Sequence, residues 1–467
     1  MKKSIRMAAV ALSVLILAGC SAPGSSQSVQ QPTAAPTAEP TPTPAPVNNT
    51  NPLTGQTTDT DYNSQRPVAV TIRNGDGATP QWGVGKADLL VEGVSQGYDT
   101  NLTAVFATRD AISKVGPVGP ATDLGLQFVL PLNAVPVHIN KTVYASNLLN
   151  VLTYQDMDGL NVGTSGFTFD ADRYASGYRE ENCWYTTADQ ITAGLANYSM
   201  DTTGANMPLF HFEERKAPAS QNGVNLYLTF SQTAGAELKY NADTGLYLRH
   251  NFDGTPTMDA DTGEQAAFKN VVVLYASSGI KDDGYTRQYD LSGGTGLYLT
   301  DGAWQEIRWT KRDAAAPLSL TDASGATLAV NPGKTYLAIW GGYYGQAIQL
   351  FAADGTEQTL PARPALLESA VSDEAAAAAQ QQQDVKNALL TAREELSAAQ
   401  QAVNDAAATE DPADDAAASE RLAAANDALN AAQAAYDAMF GTPTPAPEGD
   451  TGEPAAADSA ESEPAAE

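Results

Sequence analysis

Cysteine, histidine and basic charge are all scarce in this sequence, and each scarcity excludes something. There are two cysteines in 467 residues, so no disulfide framework can hold the fold, and stability has to come from packed cores. The three histidines, His138, His211 and His250, stand far apart. None forms an HxxxH or HExxH frame, so neither a zinc site nor any other metal or cofactor is expected. Lys and Arg number 26 against 55 Asp and Glu, a net charge of −29. That balance excludes nucleic acid as a partner, because phosphate binding needs basic patches. It also excludes adhesion to an anionic membrane surface by charge alone. No apolar run reaches the roughly 20 residues of a spanning helix. No glycine-rich phosphate loop follows a strand, and Gly163-Thr164-Ser165-Gly166 lacks the G-x-S-x-G frame of a nucleophile elbow.

What is present begins with an address. Lys2, Lys3 and Arg6 precede an apolar stretch, Met7 to Ala18, with the proportions of a secretory h-region. The stretch ends in Leu17-Ala18-Gly19-Cys20, a lipobox. Cleavage before Cys20 would leave a thiol and an amine for acylation. The expected partner is therefore the membrane, reached through lipid on Cys20, and the expected location is the extracytoplasmic face of the cell membrane. With Cys20 acylated, Cys183 has no thiol to pair with. It sits in Glu181-Asn182-Cys183-Trp184-Tyr185, without basic neighbours to lower its pKa. A buried, inert thiol is the expectation.

Composition then divides the chain. Residues 1–20 form the lipoprotein signal peptide. Residues 21–50 are rich in Pro, Thr, Ala, Ser and Gln and read as a disordered tether. From 51 to 215, strand patterns at Arg66–Ile72, Asp88–Glu92, Leu102–Phe106 and Pro136–Ile139 interleave with helical spacing over Asp123–Leu130, Val143–Leu152 and Thr187–Tyr198, with Thr187 as N-cap. From 216 to 360, short alternating strands are separated by Asp-Gly and Pro-Gly turns. From 372 to 441 the chain is Ala-, Gln- and Glu-rich. Val385, Leu389, Ala392, Leu396, Ala399 and Val403 recur at steps of three and four, as do Leu422, Ala425, Leu429, Ala432, Tyr436 and Met439. Two such helices predict an antiparallel hairpin of coiled-coil type. Residues 442–467 form a disordered acidic tail. The fold class expected is α+β: a mixed α/β N-terminal domain, a β-rich C-terminal domain and an appended antiparallel α-helical hairpin.

Several blocks along the chain carry a resemblance. Asn51-Pro52-Leu53-Thr54-Gly55, Arg66-Pro67-Val68-Ala69-Val70, Pro80-Gln81-Trp82-Gly83-Val84, Ala87-Asp88-Leu89-Leu90-Val91-Glu92 and Ser113-Lys114-Val115-Gly116-Pro117-Val118 follow in order. Lys269 to Val273, Gly294-Thr295-Gly296, Trp309-Thr310-Lys311 and Pro332 to Tyr336 follow later. Together they resemble the YerB-like lipoprotein family, catalogued as domain of unknown function 3048 in an N-terminal and a C-terminal part. The resemblance covers roughly residues 51 to 352. It implies a membrane-tethered envelope protein without an established catalytic activity. Departures are visible too. The family's Gly-Pro-Val-Arg-Ser-Ala-Arg block reads Gly116-Pro117-Val118-Gly119-Pro120-Ala121-Thr122 here, its Thr-Arg reads Thr100-Asn101, and its His-Asn-Xaa-Tyr block lacks the histidine. If those cationic groups bind an anion, this chain has lost them, and the sequence offers nothing basic close by as a replacement.

Gln81, Asp88, Glu92 and Asn101, within or beside these blocks, are the candidate ligand-binding positions. Asp88 and Glu92 are expected at strand ends, four residues apart and so on one face, where a pair of carboxylates can act as acid and base. A hydrogen-bonded structural role is the competing reading. Asp259 to Glu264 faintly resembles a calcium loop but lacks the later bidentate carboxylate, which favours a hairpin turn. Trp304, Trp309, Tyr336, Trp340, Tyr343 and Tyr344 are candidates for sugar stacking or for core packing. Two functions remain. One is a non-catalytic envelope lipoprotein that binds or scaffolds envelope proteins or a cell-wall polymer. The alternative is an envelope enzyme acting on a wall precursor or polymer through carboxylates such as Asp88 and Glu92, with their neighbours.

Overall fold

The computed structural model describes residues 49–440 except 64, 76, 205–206, 216–220, 344, 369–372 and 410–411. The leader with Cys20, most of the tether, Tyr344 and the acidic tail lie outside the described residues.

The chain opens with β1 (Val68–Arg73), β2 (Leu89–Gln96) and β3 (Asp99–Phe106), then α1 (Asp123–Val129), β4 (Val135–His138), α2 (Val143–Leu152), β5 (Met157–Asp158) and α3 (Ala188–Asn197). Strands follow: β6 (Asn225–Thr229), β7 (Gly235–Asn241), β8 (Leu246–Asn251), β9 (Ala267–Phe268), β10 (Asn270–Tyr275), β11 (Gly293–Thr300), β12 (Ala303–Thr310), β13 (Ser319–Thr321), β14 (Thr335–Trp340) and β15 (Ala347–Phe351). Two long helices close the described chain, α4 (Asp373–Thr409) and α5 (Pro412–Phe440). The protein is α+β, as its patterning predicts. Threonines start α1, α2 and α3. Thr122, Thr142 and Thr187 each accept a hydrogen bond from the backbone N–H three residues on, which satisfies a donor the helix itself leaves open.

One sheet of ten strands runs in the order β13-β12-β11-β10-β14-β2-β3-β1-β4-β5. Its centre is a parallel junction. β14 pairs with β2, Val91 opposite Leu337, and with β10, Val272 opposite Leu337. The sheet therefore takes strands from both sides of residue 215, and the composition change there is no break in the hydrogen-bonded ladder. β10 and β14 read as unbroken apolar runs, because parallel strands at a sheet centre are covered on both faces. Their residues alternate between two cores. Tyr336, Ala338 and Trp340 join Leu90 and Val94 on one face. Leu337 and Ile339 join Val91, Phe128 and Leu149 on the other, beneath α1 and α2.

The second sheet, β9-β8-β7-β6-β15, contributes Leu226, Leu228, Leu238 and Tyr247 to the first of these cores. Its alternation is clean in β6, where Leu226 and Leu228 are buried and Tyr227 is exposed. Two of its strands escape pattern reading. β7 carries Glu237 and Lys239, which form an ion pair with each other at 2.8 Å, and β15 buries little besides Leu350. Most of the aromatic set of the later region is core, with Trp304 partly buried against it. Trp309, Tyr336, Trp340 and Tyr343 are buried, leaving no stacking platform among them.

In the helical hairpin, Leu389, Ala392, Ala399 and Ala425 are buried on the seam read from the sequence, and Arg393 donates to Gln433 across it at 3.3 Å. Alanine at these positions lets the helices approach closely, so a larger charged side chain has no room. Ala399→Glu should melt the helical circular-dichroism signal well below the main thermal transition and leave that transition in place. A main transition that falls with it would make the hairpin part of the same cooperative unit.

Candidate functional site

Glu92 belongs to the middle of β2, not to a strand end, so the expected placement is corrected. A register of two puts it on the face of Leu90 and Val94, turned toward the second sheet. It is fully buried. Its charge is met by Arg249 of β8, whose Nη2 donates to Oε2 at 2.8 Å. The Tyr336 hydroxyl donates to the same oxygen at 2.7 Å. Oε1 accepts from Thr100 Oγ1 at 2.9 Å and from Asn74 Nδ2 at 3.0 Å. Arg249 reaches further to Thr257 Oγ1 at 2.8 Å. Burial acts to lower the pKa of the Arg249 guanidinium, and the charges and hydrogen bonds of Glu92 and Tyr336 together outweigh it, so the net direction is up. Burial first, and the same carboxylate second, push the Tyr336 phenol well up. Both carboxylate oxygens are thus occupied twice, and the second sheet is tied to the first through one ion pair.

The four candidate positions separate. Gln81 is buried and joins the Glu92 network, its Nε2 donating to Asn74 Oδ1 at 2.7 Å. Asp88 lies just before β2, on the same face by parity, but with different partners. It accepts from Ala107 N at 2.8 Å and Asn51 Nδ2 at 3.1 Å. Burial raises its pKa. Asn101 donates to Ser95 Oγ at 2.8 Å. Asp259 caps the backbone N–H groups of Gly83 and Gly85, each at 2.9 Å, which makes its loop a structural turn. Cys183 is buried, and burial raises its pKa.

The sequence reading that nothing basic stands near the altered Gly-Pro-Val block does not hold. A Cβ on Gly119 would come within 2.9 Å of Arg73 Cγ, so the Arg73 side chain fills space that only glycine leaves open. Nearby, Trp82 is flanked by two cations. Lys114 Nζ lies 3.9 Å from its ring centroid and Arg173 Cζ 4.3 Å. Arg173 donates to the carbonyls of Pro80 and Ala78, both at 2.8 Å, and Lys114 pairs with Asp170 at 2.8 Å. Arg73 and Arg173 come from segments remote in sequence, which is why block-by-block reading misses them, whereas Lys114 stands just before Gly116 in the block itself.

His138 is buried with two aspartates that histidine spacing does not reveal. Its Nε2 lies 2.9 Å from Asp156 Oδ2, and Nδ1 contacts the Asn140 carbonyl at 2.8 Å. Asp158 completes a set that can ligate a cation. Lys141, bonded to Asp156 and 3.4 Å from Asp158, already brings an ammonium between the carboxylates. Burial acts to raise the pKa of Asp156, and bonds from His138 and Lys141 outweigh it and hold it low.

A cavity of about 210 Å³ opens on the opposite face of the large sheet, lined by Phe128, Leu132, Leu209, Leu318, Leu337 and Lys311. Lys311 follows β12 and is buried. Its ammonium donates to the carbonyls of Asp313 and Ala314. Burial pushes its pKa down to about 8.

The architecture is that of an α+β protein in which two sheets share a core, with a helical layer on the far face. Residues 53–201 match the family described as "Protein of unknown function (DUF3048) N-terminal domain", and residues 226–337 match its C-terminal counterpart. The chain is 30% identical over 292 residues to the Bacillus subtilis (strain 168) protein named "Putative lipoprotein YerB", covering 62% of this chain and 85% of that protein. The crystal structure of YerB from Bacillus subtilis superposes with a TM-score of 0.56 at 26% identity, over 64% of this chain and 98% of that one. The chain belongs to the DUF3048 family. The junction of β2 with β14 joins its two matched parts into one sheet.

The lowered pKa of Lys311 has a definite sign in stability. Between pH 8 and its unfolded value near 10.5, the unfolded chain holds a proton that the folded chain does not. Unfolding then takes up a proton, and stability rises with pH. Wild type should therefore gain on Lys311→Met as pH rises from about 8 to 10, read by urea unfolding at each pH. A difference that stays flat across this window would remove the buried-charge account of Lys311.

Proposed function

We propose that this protein is a membrane-anchored lipoprotein of the cell envelope, held at the extracytoplasmic face by lipid on Cys20, whose folded part binds or scaffolds and does not catalyse. The observation that carries the binding reading is the occupancy of Glu92. An acid–base carboxylate must exchange its proton with a substrate. Glu92 instead spends both oxygens on Arg249, Tyr336, Thr100 and Asn74, deep between two sheets. Asp88 is tied to Ala107 and Asn51. With both carboxylates held in this way, the binding reading is favoured over the catalytic one.

The lipobox and the likeness to a relative named as a lipoprotein support the anchor. Among the described residues no helix is long and apolar enough to cross a membrane. The partners that fit are envelope proteins or a cell-wall polymer, with the α4–α5 hairpin as an added contact arm about 1.5 Å long per residue. Cys20→Ala should shift the protein from the membrane fraction to the soluble fraction, or stall its processing, and should abolish labelling by a fatty-acid probe. Unchanged labelling and membrane retention would overturn the anchoring.

A further inference from the structure

We propose that the cavity beside Lys311 is a binding site for a small monocarboxylate with an aliphatic tail. The inference deepens the binding reading above by naming a ligand class for it. The lining is mostly apolar, from Phe128 and Leu132 beside Gln127 on the helix side and from Leu337 of β14 on the sheet side. Leu209 and Leu318 close the flanks. An apolar cavity of about 150 Å³ is enough to hold benzene. At about 210 Å³, this open cavity encloses roughly eight heavy atoms on the same scale.

The polar end of the ligand follows from Lys311. The residue is only 2% exposed, and burying an amine in apolar surroundings is unfavourable unless its donors are used. An ammonium has three N–H donors. Two go to the Asp313 and Ala314 carbonyls. Neither acceptor carries a full charge, and among the described residues no carboxylate is bonded to the lysine. A ligand carboxylate supplies that charge and takes the third donor, while its tail occupies the apolar lining. Charge complementarity thus selects an anion over an alcohol or an amine with the same tail.

The experiment uses the full chain with Cys20→Ala, so that no attached lipid competes, and octanoate, octanol and octylamine as probes in calorimetric titration. Octanoate should bind more tightly than octanol by about tenfold or more, as expected for a hydrogen bond to a charged group, and octylamine should not bind. In Lys311→Met, octanoate should fall to the level of octanol, with octanol itself unchanged. Leu132→Trp, which fills the space, should abolish both. Equal binding of octanoate and octanol to the unsubstituted cavity, or no binding of either, would overturn the proposal without any variant. So would octanoate binding that survives Leu132→Trp. Such a failure leaves the anchoring untouched, because membrane fractionation of the Cys20 variant tests that separately.

Discussion

The ion pair between Glu92 and Arg249 is the constraint around which this fold is arranged. Two charges lie with almost no exposure between two sheets, where desolvation is costly and only full pairing makes the arrangement tolerable. The surrounding residues meet that requirement. Tyr336 comes from the strand on one side of β2, Thr100 from the strand on the other, and Asn74 from just beyond β1. The partner cation comes from a different sheet and from the other half of the family's matched sequence. The clamp therefore specifies how the five-stranded sheet seats on the ten-stranded one, which apolar contact alone leaves freer to slide. It also explains why a glutamate stands in a strand that is otherwise apolar from Leu89 to Val94.

Much of this was legible beforehand, for physical reasons. α1, α2 and α3 lie within a residue or so of their expected spans, because apolar spacing and a threonine cap act locally. β10 and β14 were visible as β-branched and aromatic runs. What escaped were strands whose stability is not their own. β7 has a glycine, a glutamate and a lysine among its residues and is held by neighbours on both sides. The single continuous sheet escaped as well, since parallel pairing of β2 with β14 joins residues more than 240 positions apart and leaves no local mark.

The site was legible only in part. Gln81 and Glu92 do meet, through Asn74, but Asp88 and Asn101 belong elsewhere. A usable signal was present. Tyr247 and Arg249 share the inward phase of β8, so an arginine at a core position and a glutamate in an apolar strand were two unmatched buried charges of opposite sign. Pairing them is the inference the pattern allows. No comparable signal marks Lys311, whose burial depends on how the segment after β12 folds back toward α1.

The most direct test of the clamp is a double-mutant cycle between Glu92→Gln and Arg249→Met, read by denaturant unfolding of the four proteins. Removing one partner leaves the other buried and uncompensated, at about 3–5 kcal/mol each. Removing both leaves no bare charge. The double variant should therefore be less destabilised than the sum of the single changes by about 2 kcal/mol or more, near the upper range for contacting residues. Losses that simply add, within about 0.5 kcal/mol, would contradict the view that this pair holds the two sheets together.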